Sequence, residues 1–305
     1  MFDIVSFLVQ AIRLSAIFLF GSTGEILTEK SGHLNLGIPG IMCMGALGGC
    51  YGESLYISSL PVSASTSAPD LTLMNPFLAV LIPILTAILF AGAMGALYSF
   101  LAVTLRANQN VTGLTITTFG IGVTKFFIAP IKSQYQAGFS QASIFFRTGF
   151  PFASSLGDFG SLFFSYGCLV YLAIIVAVVA SLILSKTRVG LHLRAVGENP
   201  ATADAAGINV GGYRYVATII GSAIAGLGGL TFVMDWLSGS WEYSIDGMGW
   251  LSVALVIFAM WKPNLSILGS ILFAILYILP NYIPGIGFAA RELMNMVPYF
   301  VTVLV

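Results

Sequence analysis

The chain has 305 residues, of which 57% are hydrophobic and 8% are charged, and its 12 Lys and Arg balance its 12 Asp and Glu. The mean hydropathy is +0.95, and the apolar share exceeds the roughly 45–50% of soluble domains. A net charge of zero without any basic tract argues against nucleic acid as a partner, and the apolar excess predicts an all-α integral membrane protein.

Long apolar stretches follow one another along the chain and predict a polytopic helical bundle, because ~20 residues are enough for a helix to cross the hydrocarbon core. About nine segments are predicted, near residues 4–24, 36–52, 76–105, 111–130, 162–185, 214–234, 248–262, 265–280 and 291–305. The number becomes eight or ten if residues 1–13 lie along the membrane surface or if residues 33–49 form a re-entrant segment. Residues 131–161, with Ser, Gly and aromatics, are predicted to form an external loop.

The charges of the predicted loops are distributed unevenly between the two sides of the membrane. Basic residues fall on one side at Lys30, Arg106, the 186–214 segment and Lys262. Since short cytoplasmic loops are enriched in Lys and Arg, this side is predicted to be cytoplasmic, with the N-terminus outside and the C-terminus inside. Glu53 and Asp235 are assigned to loops on the outer side.

The first predicted segment carries a charge, Arg13, near its middle. A charge within a span costs several kcal/mol unless it pairs or reaches the interface. Three alternatives follow: Arg13 pairs or reaches the interface, the first helix lies on the membrane surface, or Arg13 is a charge of the translocation pathway.

Two stretches hold polar groups suited to a pathway. Pro39 removes a backbone donor from residues 35–40, which predicts a broken helix whose free carbonyls border a cavity; tight packing of small residues is the alternative. In the fourth segment, Thr112, Thr115 and Thr118 share one helix face. Their hydroxyls either bind an uncharged polar solute or bond to their own helix.

The sequence offers no catalytic or metal-binding constellation. His33 and His192 lack metal-ligand spacing, and no glycine-rich phosphate-binding motif is present. The chain is therefore predicted not to be an enzyme, and any ATP must bind another subunit. No Asp or Glu is placed in the middle of a predicted segment, which argues against a gradient-driven carrier. Cys43, Cys50 and Cys168 lie in apolar surroundings and are predicted to be buried thiols.

A polar island between two apolar stretches, residues 186–214, is the segment expected to touch a cytoplasmic partner. Asn199 is a favourable N-cap and Gly207 a favourable C-terminal residue for a short helix over residues 200–206. Such a helix can lie parallel to the membrane and insert into a groove of a soluble subunit. The charged residues predicted to pair with that subunit, or with each other, are Arg194 and Glu198.

Three stretches carry a family resemblance: GHLNLGIPGIMCMGALGG (32–49), ANQNVTGLTITTFGIG (107–122) and GLHLRAVGENPATADAAGINV (190–210). They resemble the permease subunits of bacterial ABC importers for ribose, branched-chain amino acids and nucleosides. They are most similar to the second permease of nucleoside importers that work with a lipoprotein receptor, as is the ending PYFVTVLV. Two positions depart from nucleoside permeases, which usually carry an acidic residue at the position of Pro39 and often Asn at that of Thr117.

The resemblance implies a single transmembrane permease domain over residues 1–305, with a cytoplasmic coupling loop at 186–214, as a multi-pass protein of the bacterial cell membrane. The implied solute is a nucleoside or purine; a ribose-type sugar or a branched-chain amino acid is the alternative, and a gradient-driven secondary carrier is the alternative of another class. The implied partners are a second related permease, a cytoplasmic ABC ATPase, an extracytoplasmic substrate-binding lipoprotein and membrane lipid. ATP and Mg would bind the ATPase, and no cofactor is implied for this chain.

The resemblance also implies roles for particular residues. Those implied to couple the chain to the ATPase are Gly190, Arg194, Ala195, Val196, Gly197, Glu198, Asn199, Pro200 and Gly207. Those implied to line the substrate pathway are Asn35, Pro39, Met42, Thr112 and Thr117.

Overall fold

The computed structural model describes residues 3–62, 69–242, 244–283, 285 and 287–304, and it is helical nearly throughout. The helices are α1 (Ile4–Glu29), α2 (Ile38–Ser58), α3 (Pro76–Ser99), α4 (Gln109–Arg147), α5 (Gly157–Phe164), α6 (Cys168–Lys186), α7 (Arg188–Glu198), α8 (Pro200–Ala205), α9 (Val210–Thr231), α10 (Ile245–Phe258), α11 (Pro263–Tyr282), α12 (Phe288–Asn295) and α13 (Val297–Leu304). Single π turns extend α3 to Thr104 and α9 to Trp236.

Six helices of the described ranges are long and apolar enough to cross a membrane: α1, α3, α4, α6, α9 and α11, with α3 and α9 counted together with their π turns. The predicted all-helical membrane class is therefore confirmed, whereas the predicted nine segments are not. α10 is apolar but has only 14 residues, which gives a length of about 21 Å against the ~30 Å of the hydrocarbon core.

Helix α9 lies at the centre of the bundle and packs against α1, α2 and α3. Glycines make these contacts close. A Cβ at Gly24 would overlap the backbone of Gly221, and a Cβ at Gly45 would overlap that of Gly226. Between apolar helices in lipid, association depends on van der Waals contact, so small residues at the crossings stabilise the bundle. The predicted alternative of tight glycine packing is confirmed.

Helices α2 and α4 run parallel to each other. Gly113 lies against Leu36 and Gly120 lies against Gly40, so both helices advance in the same direction from this end. At this end, therefore, the N-terminal ends of α2 and α4 lie side by side.

Two predictions about the outer segments are wrong. Residues 131–161 are not one loop, because α4 continues to Arg147. Its 39 residues correspond to about 58 Å, which is longer than a membrane span.

Cys168 is exposed rather than buried, while Cys43 and Cys50 are buried as predicted.

The first helix does not lie on the surface, because most of α1 from Leu14 to Ile26 is buried in the bundle. Arg13 pairs with Asp235, with 2.8 Å between Nη2 and Oδ1. Asp235 lies in the π turn that ends the central helix α9, and not in a loop. Glu53 is also misplaced by the sequence prediction, since it is fully buried inside α2.

Candidate functional site

The coupling segment folds into two short helices, α7 and α8, joined at Asn199. The Thr187 side chain caps α7 by accepting a hydrogen bond from the Gly190 N–H at 3.1 Å. Asn199 Oδ1 caps α8 by accepting one from the Thr202 N–H at 3.0 Å. Gly207 follows α8 with a φ of +80°, a conformation that glycine adopts without strain. The predicted short helix is confirmed, and it ends at Ala205.

Helix α7 has a buried and an exposed face. Gly190, Leu193 and Val196 form the buried face, and Gly190 fits against the Ile183 carbonyl where a Cβ would overlap. The opposite side faces a hollow of about 280 Å³ whose lining residues include Ala195, Glu198, Asn199, Thr202, Ala203 and Ala206. The coupling residues named from the sequence therefore divide into some that anchor α7 and others that line an open surface.

The two charged residues predicted for this surface do not pair with each other among the described contacts. Arg194 Nε donates to the Gly190 carbonyl at 3.4 Å, and Glu198 is exposed. Their pairing with a partner subunit stays a prediction.

Helix α7 touches the connection between α1 and α2. A Cβ at Gly197 would overlap the Lys30 carbonyl and lie 3.2 Å from the Gly32 nitrogen. Gly32 itself has a φ of +88°, which favours glycine. We call residues 31–37 the 31–37 turn; the coupling helix contacts it in addition to α6 and α9.

Side chains from other helices hold the backbone of the 31–37 turn. Leu34 is bonded on both sides: its N–H donates to Gln109 Oε1 at 3.0 Å, and its carbonyl accepts from the Tyr98 hydroxyl at 2.7 Å. The Asn35 N–H donates to Glu25 Oε1 at 2.8 Å. These bonds give partners to backbone groups of Leu34 and Asn35, which lie between α1 and α2 outside regular helix.

Both ends of the 31–37 turn are held as well. The Thr117 hydroxyl donates to the Leu36 carbonyl at 2.7 Å. Arg214 Nε donates to the Ser31 carbonyl at 3.4 Å. Elements α1, α3, α4 and α9 thus all contact the turn that α7 touches.

The residues predicted to line the pathway lie near one another, around the starts of α2 and α4. All five are buried: Asn35, Pro39, Met42, Thr112 and Thr117. Pro39 occupies the first turn of α2, where the lack of an N–H costs no helical bond. The predicted interruption is therefore the 31–37 turn before the helix and not a break within it. Their role in the pathway stays a prediction.

The predicted threonine face of α4 is divided. Thr115 and Thr118 are exposed and donate to the Val111 and Leu114 carbonyls of their own helix at 2.8 and 3.0 Å. Self-bonding, the alternative named above, is confirmed for these two. Thr117 instead bonds outside its helix and is the threonine that connects α4 to the 31–37 turn.

Sequence reasoning missed Glu25, Tyr98 and Gln109 as partners of the turn. Glu25 is 0% exposed, and a carboxylate so close to an apolar run was the available signal, since such residues need a buried partner. Tyr98 and Gln109 carried no comparable signal, because their partners are distant backbone groups.

A glycine-packed bundle with six helices long and apolar enough to cross a membrane is the fold of a polytopic membrane protein. Comparison with known families places residues 7–305 in the family described as the branched-chain amino acid transport system / permease component. The chain belongs to this family and is a permease subunit of an ABC transporter in the plasma membrane. The family implies a second permease and an ATPase as partners.

Several relatives are similar over most of their length. The nucleoside ABC transporter permease protein NupC of Lactococcus lactis subsp. cremoris is 33% identical, over 95% of this chain and 88% of that protein. The guanosine ABC transporter permease protein NupQ of Bacillus subtilis is 30% identical, over 99% of this chain and 91% of its own. The protein TsgC13 of Haloferax volcanii, a permease assigned to a glucose ABC transporter, is 33% identical over 87% of this chain and 74% of that protein.

A solved structure has a related fold. It is described as an inward-facing conformation of a metal-chelate type ABC transporter, and it matches with a TM-score of 0.52 over 98% of this chain and 84% of that chain. At 14% identity, this similarity concerns the fold alone.

Proposed function

We propose that this permease forms half of a translocation pore that imports nucleosides or related purines. Support comes from the relatives named for nucleosides and for guanosine. A ribose-type sugar or a branched-chain amino acid is the alternative solute, and the relative assigned to glucose favours testing a sugar. Substrate would be delivered by an extracytoplasmic lipoprotein receptor, so the permease itself needs only weak affinity.

The single observation that carries the coupling mechanism is the contact of Gly197 with Lys30 and Gly32. In this mechanism a cytoplasmic ATPase binds ATP and Mg and pushes on α7 and α8. Because the coupling helix touches the 31–37 turn, the displacement reaches the starts of α2 and α4. The bundle then changes from inward-facing to outward-facing.

In this function residues 1–305 form one transmembrane domain whose coupling loop is residues 186–214. The domain has nine membrane segments, which are the six long apolar helices together with α2, α10 and the α12–α13 pair. α2 supports this number, because its 21 residues match the ~20 needed for a span.

The first experiment is a pull-down of the tagged chain from its native membrane in mild detergent, with partners identified by mass spectrometry. Recovery of an ATPase, a second permease and a lipoprotein is expected, and the ligand of that lipoprotein then gives the solute. Recovery of the chain alone in several detergents would contradict the importer and favour a gradient-driven carrier.

The coupling role is tested with charge reversals in the reconstituted complex. Glu198→Lys and Arg194→Glu are expected to abolish uptake while ATP hydrolysis continues, because both side chains lie on the segment proposed to contact the ATPase. Asp158→Lys and Lys262→Glu reverse charges at exposed positions outside the coupling loop and outside α12–α13 and serve as controls. Uptake that is normal in Glu198→Lys and Arg194→Glu would overturn the coupling assignment.

A further inference from the structure

A cavity of about 440 Å³ lies between the 31–37 turn, the end of α3, the start of α4 and the start of α9. It is on the side predicted to be cytoplasmic. Its polar lining consists of His33, Arg106, Gln109 and Arg214. We call it the basic pocket.

The charged side chains that line the basic pocket are all positive. Two guanidinium groups, Arg106 and Arg214, line it, and no Asp or Glu is among the described residues of its lining. Arg214 uses one N–H on the Ser31 carbonyl, and a guanidinium carries five. Arginine forks match the oxygens of phosphate and carboxylate groups, with which they form charge-assisted hydrogen bonds.

Two helix N-termini add to this field. Gln109 and Val210 are the first residues of α4 and α9, and both line the pocket. A helix N-terminus carries a partial positive charge and favours an anion beside it. The dipoles therefore act in the same direction as the two arginines.

His33 supplies the independent observation. Its side chain is 2% exposed, and its Nδ1 atom has no hydrogen-bond partner. A buried polar atom without a partner is unfavourable, and the binding of an ion nearby is one explanation for such an atom. Burial, and then the charge of Arg214, lower the pKa of His33 to about 4. An anion in the pocket would oppose the effect of Arg214 on the His33 ring.

We propose that the basic pocket binds an oxyanion, a phosphate group held by Arg106, Arg214 and His33. The phosphate belongs either to a small cytoplasmic molecule or to an anionic lipid headgroup. The volume of about 440 Å³ admits a phosphate together with the group that it esterifies. Because His33 follows Gly32 directly, the bound anion lies next to the contact between the 31–37 turn and α7.

Phosphate binding is tested by following the NMR signals of the His33 ring nitrogens. The chain contains only two histidines, so ¹⁵N-histidine labelling gives two ring systems, and His192→Gln identifies His33. The complete complex, in which this chain alone carries the label, is placed in phosphatidylcholine nanodiscs at pH 7 and titrated with inorganic phosphate against chloride at constant ionic strength. We expect a saturable shift of the His33 ring nitrogens, because a bound anion adds negative charge beside the ring and raises its pKa.

Two variants separate binding from a general salt effect. Arg106→Gln removes an exposed guanidinium that lines the pocket and should raise the half-saturating phosphate concentration about fivefold. Arg188→Gln removes an exposed arginine outside the pocket and should leave the titration unchanged. An equal response of both variants would overturn the site.

Nanodiscs of phosphatidylglycerol distinguish the two sources of phosphate. If a lipid headgroup occupies the pocket, the His33 signal is already shifted there and added phosphate no longer moves it. If the ligand is a small cytoplasmic molecule, the titration is the same in both lipids. Absence of any His33 shift in both lipids, at every phosphate concentration, would show that the pocket binds no oxyanion.

Discussion

At the scale of single residues, the Arg13–Asp235 pair ties the first helix to the end of the central one. Arg13 Nε lies 3.1 Å from both carboxylate oxygens, and its Nη2 also donates to the Asp235 carbonyl. The sequence predicted that Arg13 needs compensation, which is correct. It did not predict the partner, because Asp235 was assigned to a loop and lies 222 positions away.

Asp235→Asn should lower the free energy of unfolding by about 3 kcal/mol, because removal of one partner leaves the other charge buried and uncompensated. Denaturant unfolding of the detergent-solubilised chain measures the loss. The double replacement Arg13→Met with Asp235→Leu removes both charges and should recover most of it. A double variant that loses the sum of both single effects would contradict a paired charge.

His33 predicts a pH dependence of stability. Its pKa is lowered from 6.5 to about 4 by burial and by Arg214, so between these values the unfolded chain binds more protons than the folded chain. The free energy of unfolding should therefore rise with pH from about 4 to 6.5. The contribution of His33 to that free energy is complete above pH 6.5 and is lost as the pH falls to about 4. His33→Gln should flatten this slope in thermal unfolding scans of the purified chain. His192→Gln is the matched control. If the pH dependence of the unfolding free energy is unchanged in His33→Gln, the prediction is wrong.

At the scale of elements, the 31–37 turn shows what a sequence can and cannot predict. Local features were predicted from the chain itself: Asn199 as a cap and Gly207 after α8. The break expected at residues 35–40 lies before α2 instead, and Pro39 is in the first turn of that helix. The bonds that hold the turn join residues far apart, such as Tyr98 and Leu34, and no local pattern specifies them.

Two threonines of α4 form a matched pair for testing the turn. Thr117→Val removes the bond to the Leu36 carbonyl and leaves that buried acceptor unpaired, so a loss of about 1–2 kcal/mol in unfolding free energy is expected. Thr115→Val removes only a bond within α4 at an exposed site and should change stability by less than about 0.5 kcal/mol. Equal losses in denaturant unfolding would argue against a special role for Thr117.

Gly197→Ala tests the contact between α7 and the turn. The added methyl group overlaps the Lys30 carbonyl, so α7 must move away from the turn. We expect uptake by the reconstituted complex to fall strongly while ATP hydrolysis persists. Gly92→Ala in α3 is the control, because its Cβ would meet its nearest neighbour only at 3.9 Å. Parallel loss of uptake in both variants would point to a general packing effect.

At the scale of the whole molecule, hydropathy predicted the class correctly, whereas six helices of the described residues are long and apolar enough to span against the nine segments predicted. α2 is rich in Gly and carries the buried Glu53, which lowers its hydropathy although it lies inside the bundle. α4 extends through a polar stretch with Ser133, Gln136 and Ser140, which resembles a loop in composition. Whether each of these two segments is helix or loop depends on how it packs against other helices, and composition alone does not give that packing.

The orientation of the chain follows from a labelling experiment. Cys168 is the exposed native cysteine among the described residues, so its replacement by Ala provides a background with the two buried thiols. Asp158→Cys and Arg188→Cys then place thiols at two exposed positions that are predicted to lie on opposite sides of the membrane. In intact cells, a membrane-impermeant maleimide should label the cysteine at position 158, and the one at position 188 only after permeabilisation. The reverse pattern would invert the predicted topology and place the coupling helices outside.

The two chain ends then decide the number of crossings. An odd number places the N- and C-termini on opposite sides, as nine segments require, whereas six or eight place them on the same side. Epitope tags are added to each end, and antibody binding is compared before and after permeabilisation. We expect the N-terminal tag to be accessible in intact cells and the C-terminal tag only in permeabilised ones, because basic loops favour the cytoplasm. Two tags with the same accessibility would exclude nine crossings and leave α10 or the α12–α13 pair on one side of the membrane.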